Sequence, residues 1–205
     1  LYLIDSGGQY ADGTTDVTRT VLIEGRRPPR DAIDSFTRVL RGHIALAAAQ
    51  FPTGTNGMQL DTLARAPLWA AGQDFDHGTG HGVGSYLSVH EGPQRISKGG
   101  LVPMAPGMIV SNEPGYYATG RFGIRIENLQ YVRAAKSTGD KHREMLEFGV
   151  LTLAPIDRRL IDKSALMGEE KSWLNTYHAE VFSKVKPHVD RGTAKWLERA
   201  CRPIR

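Results

Sequence analysis

Residues 1–21 read LYLIDSGGQYADGTTDVTRTV. An apolar run closes on Asp5, and Asp16 follows eleven positions later within DGTTDVTRTVLI, with Gly7, Gly8 and the pair Asp12-Gly13 between them. Two alternating runs joined through such a segment predict a β-hairpin. With the turn centred near Gln9 and Tyr10, Asp5 and Asp16 fall roughly opposite each other, their side chains on one face of the ribbon. Two carboxylates at that separation repel, and in a partly buried site one takes up a proton unless a cation sits between them. The hairpin therefore predicts a metal site. Asp12, beside Gly13, is read as a turn former whose side chain bonds its own backbone.

Outward from the hairpin, three further stretches supply ligand types. HGTGHGVGSYLSVHEGP, residues 77–93, carries His77, His81 and His90 among five glycines, and neutral imidazole suits first-row transition metals. MIVSNEPGYY, residues 108–117, brings Glu113 to the end of an apolar run stopped by Pro114-Gly115. FGIRIENLQYV, residues 122–132, alternates so that Arg125 and Glu127 share one strand face and Ile124 and Ile126 the other. Each residue alone has an ordinary explanation. Together, Asp5, Asp16, His81, Glu113 and Glu127 sit on otherwise apolar strands where an uncompensated charge costs several kcal/mol, by rough count. Five ligands are few for two separate ions, so carboxylates must bridge, holding the ions roughly 3.5–4 Å apart. Four carboxylates, one imidazole and no thiolate make a hard set that points to Mn²⁺, with Co²⁺, Fe²⁺ or Zn²⁺ as other candidates. A water shared by two such ions ionises near neutral pH, so no Ser or Cys nucleophile is needed.

DSGGQYADGTTDVTRT, HGTGHGVGSYLSVHEGP, SNEPGYY and GIRIEN, in this order, resemble aminopeptidase P, the Xaa-Pro aminopeptidase of the pita-bread metallopeptidase family, which includes methionine aminopeptidase, prolidase and creatinase. The likeness spans about Leu1 to Ala154, and WLNTYHAEVFSKV with TAKWLERACRPI resembles the C-terminal extension of the long, three-domain branch. It implies an α+β pita-bread fold, here a fragment lacking its N-terminal part, with residues 1–155 as the later two-thirds of the catalytic domain and 156–205 as a helical extension. An upstream portion of the same protein would be needed to complete the domain. It also implies that Asp5 and Asp16 bind one ion, that Asp16 and Glu127 bridge, and that His81 and Glu113 complete the second. His77 and His90 would contact substrate and serve catalysis, Glu113 would act as general base, and Tyr117 and Arg125 would line the pocket for the proline. Arg125 has a second reading, in which it orients the Glu127 carboxylate. The implied reaction is hydrolysis of the bond between an N-terminal residue and a following proline by a hydroxide bridging two divalent ions, on peptides with proline second. The alternatives are a prolidase-type dipeptidase and a non-catalytic peptide-binding module, whose known examples have substituted ligand positions. Related extensions lie near a dimer interface, which implies a homodimer.

The chain of 205 residues, 40% hydrophobic and 8% aromatic, suffices for one sizeable core. Its net charge of +4 arises wholly after residue 155, where eleven Lys or Arg meet seven Asp or Glu. No basic cluster is interleaved with aromatics, which argues against nucleic acid. No stretch approaches eighteen apolar residues, which argues against a membrane span. Cys201 is the single cysteine and fits a reducing cytoplasm. EGRRPPR is expected to break the hairpin and launch a helix over 31–49, with His43 packed on its apolar stripe. A second helix is expected from Met58 to Pro67 or Trp69, then strands carrying the histidines and glutamates, and finally helices over 163–185 and 192–201 anchored by Leu166, Trp173, Leu174, Tyr177, Val181, Trp196 and Leu197.

Overall fold

The opening hairpin pairs β1 (Tyr2–Tyr10) antiparallel with β2 (Gly13–Val21). Its register differs from the expected one. Tyr10 pairs with Gly13, so Ala11 and Asp12 make a two-residue turn, Asp5 faces Thr18 and Asp16 faces Gly7. The turn forms at Ala11-Asp12 rather than at Gln9-Tyr10, because Gly7 and Gly8 stay in the ladder. The slip is an even number of positions, so Asp5 and Asp16 keep a common face and lie diagonally across it. The structure is a computed structural model that describes all residues except 24, 26, 86, 87 and 137–141. Glu24 and Arg26 of the expected strand-ending stretch, and Tyr86 and Leu87 of the glycine-histidine segment, lie outside the described residues.

After Pro28-Pro29, α1 (Arg30–Ala47) begins with Asp31 in its first turn, where a carboxylate favours the positive end of the helix dipole. Ala32, Phe36, Val39, Leu40, Ile44 and Ala47 form its buried stripe. Strand β3 (Gln50–Pro52) leads to α2 (Gly57–Trp69), whose start is fixed by a capping box. The Asn56 side chain accepts from the Gln59 N–H at 3.2 Å and Gln59 accepts from the Asn56 N–H at 3.0 Å. The two helices touch so closely at Gly42 that an added Cβ would stand 2.0 Å from the Ala64 carbonyl oxygen.

Next come β4 (Gly80–His81), β5 (Arg95–Ile96), β6 (Ile109–Asn112), β7 (Gly115–Ala118), β8 (Phe122–Arg125), β9 (Asn128–Ala134) and β10 (Met145–Val150). An antiparallel sheet runs in the order β3-β10-β9-β6, with β7 and β8 as a separate hairpin. The histidine segment departs from expectation: β4 is two residues long and only His81 lies in it, whereas His77 and His90 lie in connecting segments. Glycines at every second position leave few side chains to sustain a longer ladder.

The C-terminal helices are α3 (Gly168–Val185) and α4 (Arg191–Ala200). Helix α3 starts later than expected, because Glu170 accepts from the Met167 N–H at 2.8 Å and sets the boundary there. Leu166, Leu174, Tyr177, Val181 and Leu197 share one core with Phe36, Val39, Leu40 and Ile44 of α1. Trp173 packs against that core, but Trp196 does not anchor α4; it is 52% exposed. One position apart on a helix means about 100° of rotation, so burying Leu197 turns Trp196 outward. Among the described residues no helix is long and apolar enough to cross a membrane.

Candidate metal centre

Asp16, on β2, brings a carboxylate oxygen within 4.8 Å of ligand atoms of Asp5 and Glu127, near the ends of β6 and β9. In the β6–β9 pair Asn112 stands opposite Asn128, and one step beyond, in the same register, come Glu113 and Glu127. Pro114 stops the ladder there by having no N–H to give. The Glu127 N–H instead donates to the Thr18 carbonyl at 3.1 Å, and the Glu113 N–H to the Thr79 carbonyl at 2.7 Å. Both glutamates are thereby fixed at strand ends, pointing where Asp16 points.

His81 enters from β4, whose neighbour β6 approaches so closely that a Cβ on Gly80 would meet the Ser111 oxygen at 1.9 Å. The His81 N–H donates to Ser111 Oγ at 2.9 Å, and Ser111 Oγ donates to Glu113 at 3.0 Å. The ring Nδ1 lies 2.9 Å from the Gly82 carbonyl, an arrangement that places the proton on Nδ1. Nε2 is then a lone pair directed at Asp16, 3.4 Å away, and at Glu113, 3.2 Å away. It is buried and has no hydrogen-bond partner.

Three trios of side chains each bring one ligand atom per residue within 4.8 Å of the others: Asp5, Asp16 and Glu127; His81, Glu113 and Glu127; and Asp16, His81 and His90. The first two comprise the five residues singled out from sequence and share Glu127. Burial, and after it the charges of Glu113 and Asp16, push Glu127 up to about 8. Burial likewise raises Glu113. A cluster that crowds carboxylates this far takes either protons or cations. With Nδ1 committed to Gly82, His81 Nε2 faces carboxylate oxygens that either draw a second proton onto the ring, raising its pKa, or share a cation with it. The donor set, four carboxylates and an imidazole, fits two hard or borderline divalent ions.

His77 stands apart from these trios. Burial lowers its pKa against the Gly78 carbonyl, and the Arg125 charge adds to the lowering, so the ring is neutral near pH 7. Nδ1 lies 2.7 Å from the Gly78 carbonyl, leaving Nε2 to accept from the Tyr117 hydroxyl at 2.7 Å. That hydroxyl accepts from Arg125 Nη1 at 3.0 Å. Arg125 also pairs with Asp5 at 2.6 Å and lies 3.8 Å from Glu113. Its link to Glu127 is indirect: Arg125 Nε donates to Thr18 Oγ1 at 3.0 Å, and Thr18 Oγ1 donates to Glu127 at 2.7 Å. The expectation of a guanidinium beside the last carboxylate is therefore refined, because one threonine hydroxyl stands between them. His90 packs edge-on to His81 with ring centroids 4.1 Å apart. Thr18 and Ser111 were missed from sequence. The available signal was alternation, since Thr18 follows Asp16 by two in DVTRT and Ser111 precedes Glu113 by two. His43, expected to pack, is fully buried, with Nδ1 3.1 Å from the Asn112 carbonyl.

Residues 1–134 match metallopeptidase family M24, and residues 144–204 match the C-terminal region of peptidase M24. Over its whole length the chain is 52% identical to aminopeptidase P2 of Arabidopsis thaliana, covering 29% of that protein. It is 50% identical to a probable Xaa-Pro aminopeptidase P of Sclerotinia sclerotiorum, covering 35%. Among solved structures, 98% of the chain superimposes on 33% of the X-prolyl aminopeptidase of Caenorhabditis elegans, a cytosolic enzyme with a di-nuclear active site, with TM-score 0.92 and 50% identity. A Xaa-Pro dipeptidase of Bacillus anthracis matches with TM-score 0.63 and 28% identity over 76% of this chain and 39% of that one. The chain thus spans roughly a third of the length of these relatives.

Proposed function

The chain belongs to metallopeptidase family M24, and from that premise we propose that the protein carrying it is a Xaa-Pro aminopeptidase with two divalent ions, hydrolysing the bond between an N-terminal residue and a following proline. The observation that carries the reading is the pair of ligand trios sharing Glu127, with His81 Nε2 buried, unpartnered and aimed at carboxylates. Asp5, Asp16 and Glu127 would hold one ion and His81, Glu113 and Glu127 the other, Asp16 also bridging. Mn²⁺ suits a set of four carboxylates and one imidazole. When bound, two such ions supply Lewis acidity toward the scissile carbonyl and lower the pKa of water.

The remaining chemistry falls to the chain's own groups. Glu113 accepts the proton of the attacking water, its carboxylate oriented by the Ser111 hydroxyl. His90, beside His81, faces the developing oxyanion and donates to it. His77 is held neutral and oriented by Tyr117 and Gly78, ready to bind the substrate backbone. Tyr117 and Arg125 form the wall against which the proline ring packs. Residues 156–205 act as the extension of the catalytic domain and as the contact surface of a homodimer. The cytosolic relative supports a cytoplasmic setting.

The test is release of the first residue from Arg-Pro-Pro by the full-length protein, stripped of metal and then given Mn²⁺. Cleavage that returns with Mn²⁺ and fails on Arg-Ala-Ala is expected. Equal cleavage of both peptides would refute the proline requirement, and full activity after stripping would refute the metal.

A further inference from the structure

On β2, Arg19 lies three positions beyond Asp16 and so points away from the metal face. It is buried, yet among the described residues no carboxylate pairs with it. Its donors go to neutral oxygens. Nε donates to the Pro155 carbonyl at 3.2 Å, and Nη1 to the Thr18 carbonyl at 2.9 Å and to the Glu127 carbonyl. Nη2 reaches the Asn128 side-chain oxygen at 2.7 Å, the Ala154 carbonyl at 2.8 Å and the Tyr177 hydroxyl at 3.0 Å. A guanidinium has five N–H donors, and this environment occupies all of them. The contacts gather four separate parts of the chain: β2, the segment carrying Glu127, the Ala154-Pro155 segment, and α3.

The consequence falls on Glu127. Its backbone carbonyl is held by Arg19, its N–H by the Thr18 carbonyl and its carboxylate by the Thr18 hydroxyl. The following residue, Asn128, is held by Arg19 and by Tyr177, whose hydroxyl lies 3.2 Å from the same amide oxygen. The Asn128 nitrogen is 3.3 Å from His43 Nε2, and His43 Nδ1 contacts the carbonyl of Asn112, the residue before Glu113. One buried polar network thus lies behind both glutamates. Trp173 closes it off, stacking on Tyr177 with centroids 5.3 Å apart and standing edge-on to His43 at 5.9 Å.

We propose that Arg19 is a positioning residue for Glu127 and that Tyr177, from the C-terminal region, completes its setting, so that this helical region tunes how tightly the ion pair is held. The inference rests on the two-ion reading above. Neighbours that orient a metal ligand commonly contribute 10- to 100-fold in affinity, and the expected effect is about that size.

Co²⁺ is the probe, because its visible absorption follows ligand geometry. Full-length wild type, Tyr177→Phe and Arg19→Lys would be titrated with Co²⁺, alongside Leu197→Ala, which loosens the C-terminal core without touching the network. Wild type should take up two ions. Tyr177→Phe and Arg19→Lys should weaken Co²⁺ binding about 10- to 100-fold and shift its absorption bands. Leu197→Ala should lower the melting temperature at least as much as Tyr177→Phe and leave affinity and bands unchanged. If Leu197→Ala weakens binding as much as Tyr177→Phe, or if Tyr177→Phe leaves both readouts at wild-type values, the positioning role is overturned and the two-ion reading stands. If wild type takes up no Co²⁺, both fall. Should Arg19→Lys not fold, Tyr177→Phe decides alone.

Discussion

Glu127 is shared by the two ligand trios, so its replacement should affect both ions at once. Glu127→Gln and Asp16→Asn in the full-length protein should each abolish binding of the pair and peptidase activity. Asp12→Asn, in the exposed turn, should leave both at wild-type levels; metal content by elemental analysis with peptide release checks all three. Thr18 offers a finer test. Its hydroxyl accepts from Arg125 and donates to Glu127, so Thr18→Val keeps the shape and removes both bonds. Activity should fall about 10- to 100-fold with the melting temperature little changed; unaltered turnover would show that Glu127 needs no such support. That these carboxylates and His81 would cluster was legible in the sequence, because a charge on or at the end of an apolar strand calls for an explanation. Thr18 and Ser111 were not, since a threonine or serine on a strand needs none. Only the fold shows that their hydroxyls meet carboxylates from segments about a hundred residues away in one case and two residues away in the other.

At the level of elements, α1 was legible because Pro28-Pro29 precedes its apolar stripe, while α2 was legible as a helix and the Asn56 to Gln59 capping box fixes its start one residue before the expected Met58. The hairpin was legible as a hairpin, but its register was off by two, because several glycines and an Asp compete for the turn and only pairing decides between them. The stretch from Asp74 to His81 was not legible as structure at all, for its order comes from elsewhere. Arg65, fully buried on α2, pairs with Asp61 and with Asp74 at 2.7 Å each and donates to the carbonyls of Phe75 and His77 at 2.7 Å each. Asp61 in turn accepts from the Thr79 hydroxyl at 2.6 Å. A helix thereby sets the position of the segment that delivers His77. Arg65→Ala would leave Asp61 buried without its cation, an outcome that costs about 3–5 kcal/mol. Urea unfolding should show a loss of that order; a loss below about 1 kcal/mol would mean the segment holds itself.

For the molecule as a whole, the core shared by α1 and the C-terminal helices encloses two histidines that are held neutral. Burial, with the nearby Arg19 charge, lowers His43 to about 3. Burial, then the charges of Arg158 and Arg19, lowers His178 to about 4. His178 Nε2 accepts from the Ile156 N–H at 3.1 Å, so its proton sits on Nδ1 and a second proton would cost that bond. Below the ordinary histidine pKa of about 6.5 the unfolded chain binds protons that the folded chain refuses. Stability is therefore fully present above about pH 6.5 and is lost as pH falls toward the folded values. The metal site complicates a direct reading, because its ligands also take protons as pH falls. A difference measurement separates the two. Gln at position 178 keeps an acceptor for the Ile156 N–H and does not titrate, so the stability gap between wild type and His178→Gln should narrow as pH is lowered from 7.5 to 5. At about 1.4 kcal/mol per unit below 6.5, the narrowing should be about 2 kcal/mol. A gap that stays constant over that range would show that His178 carries no penalty for protonation.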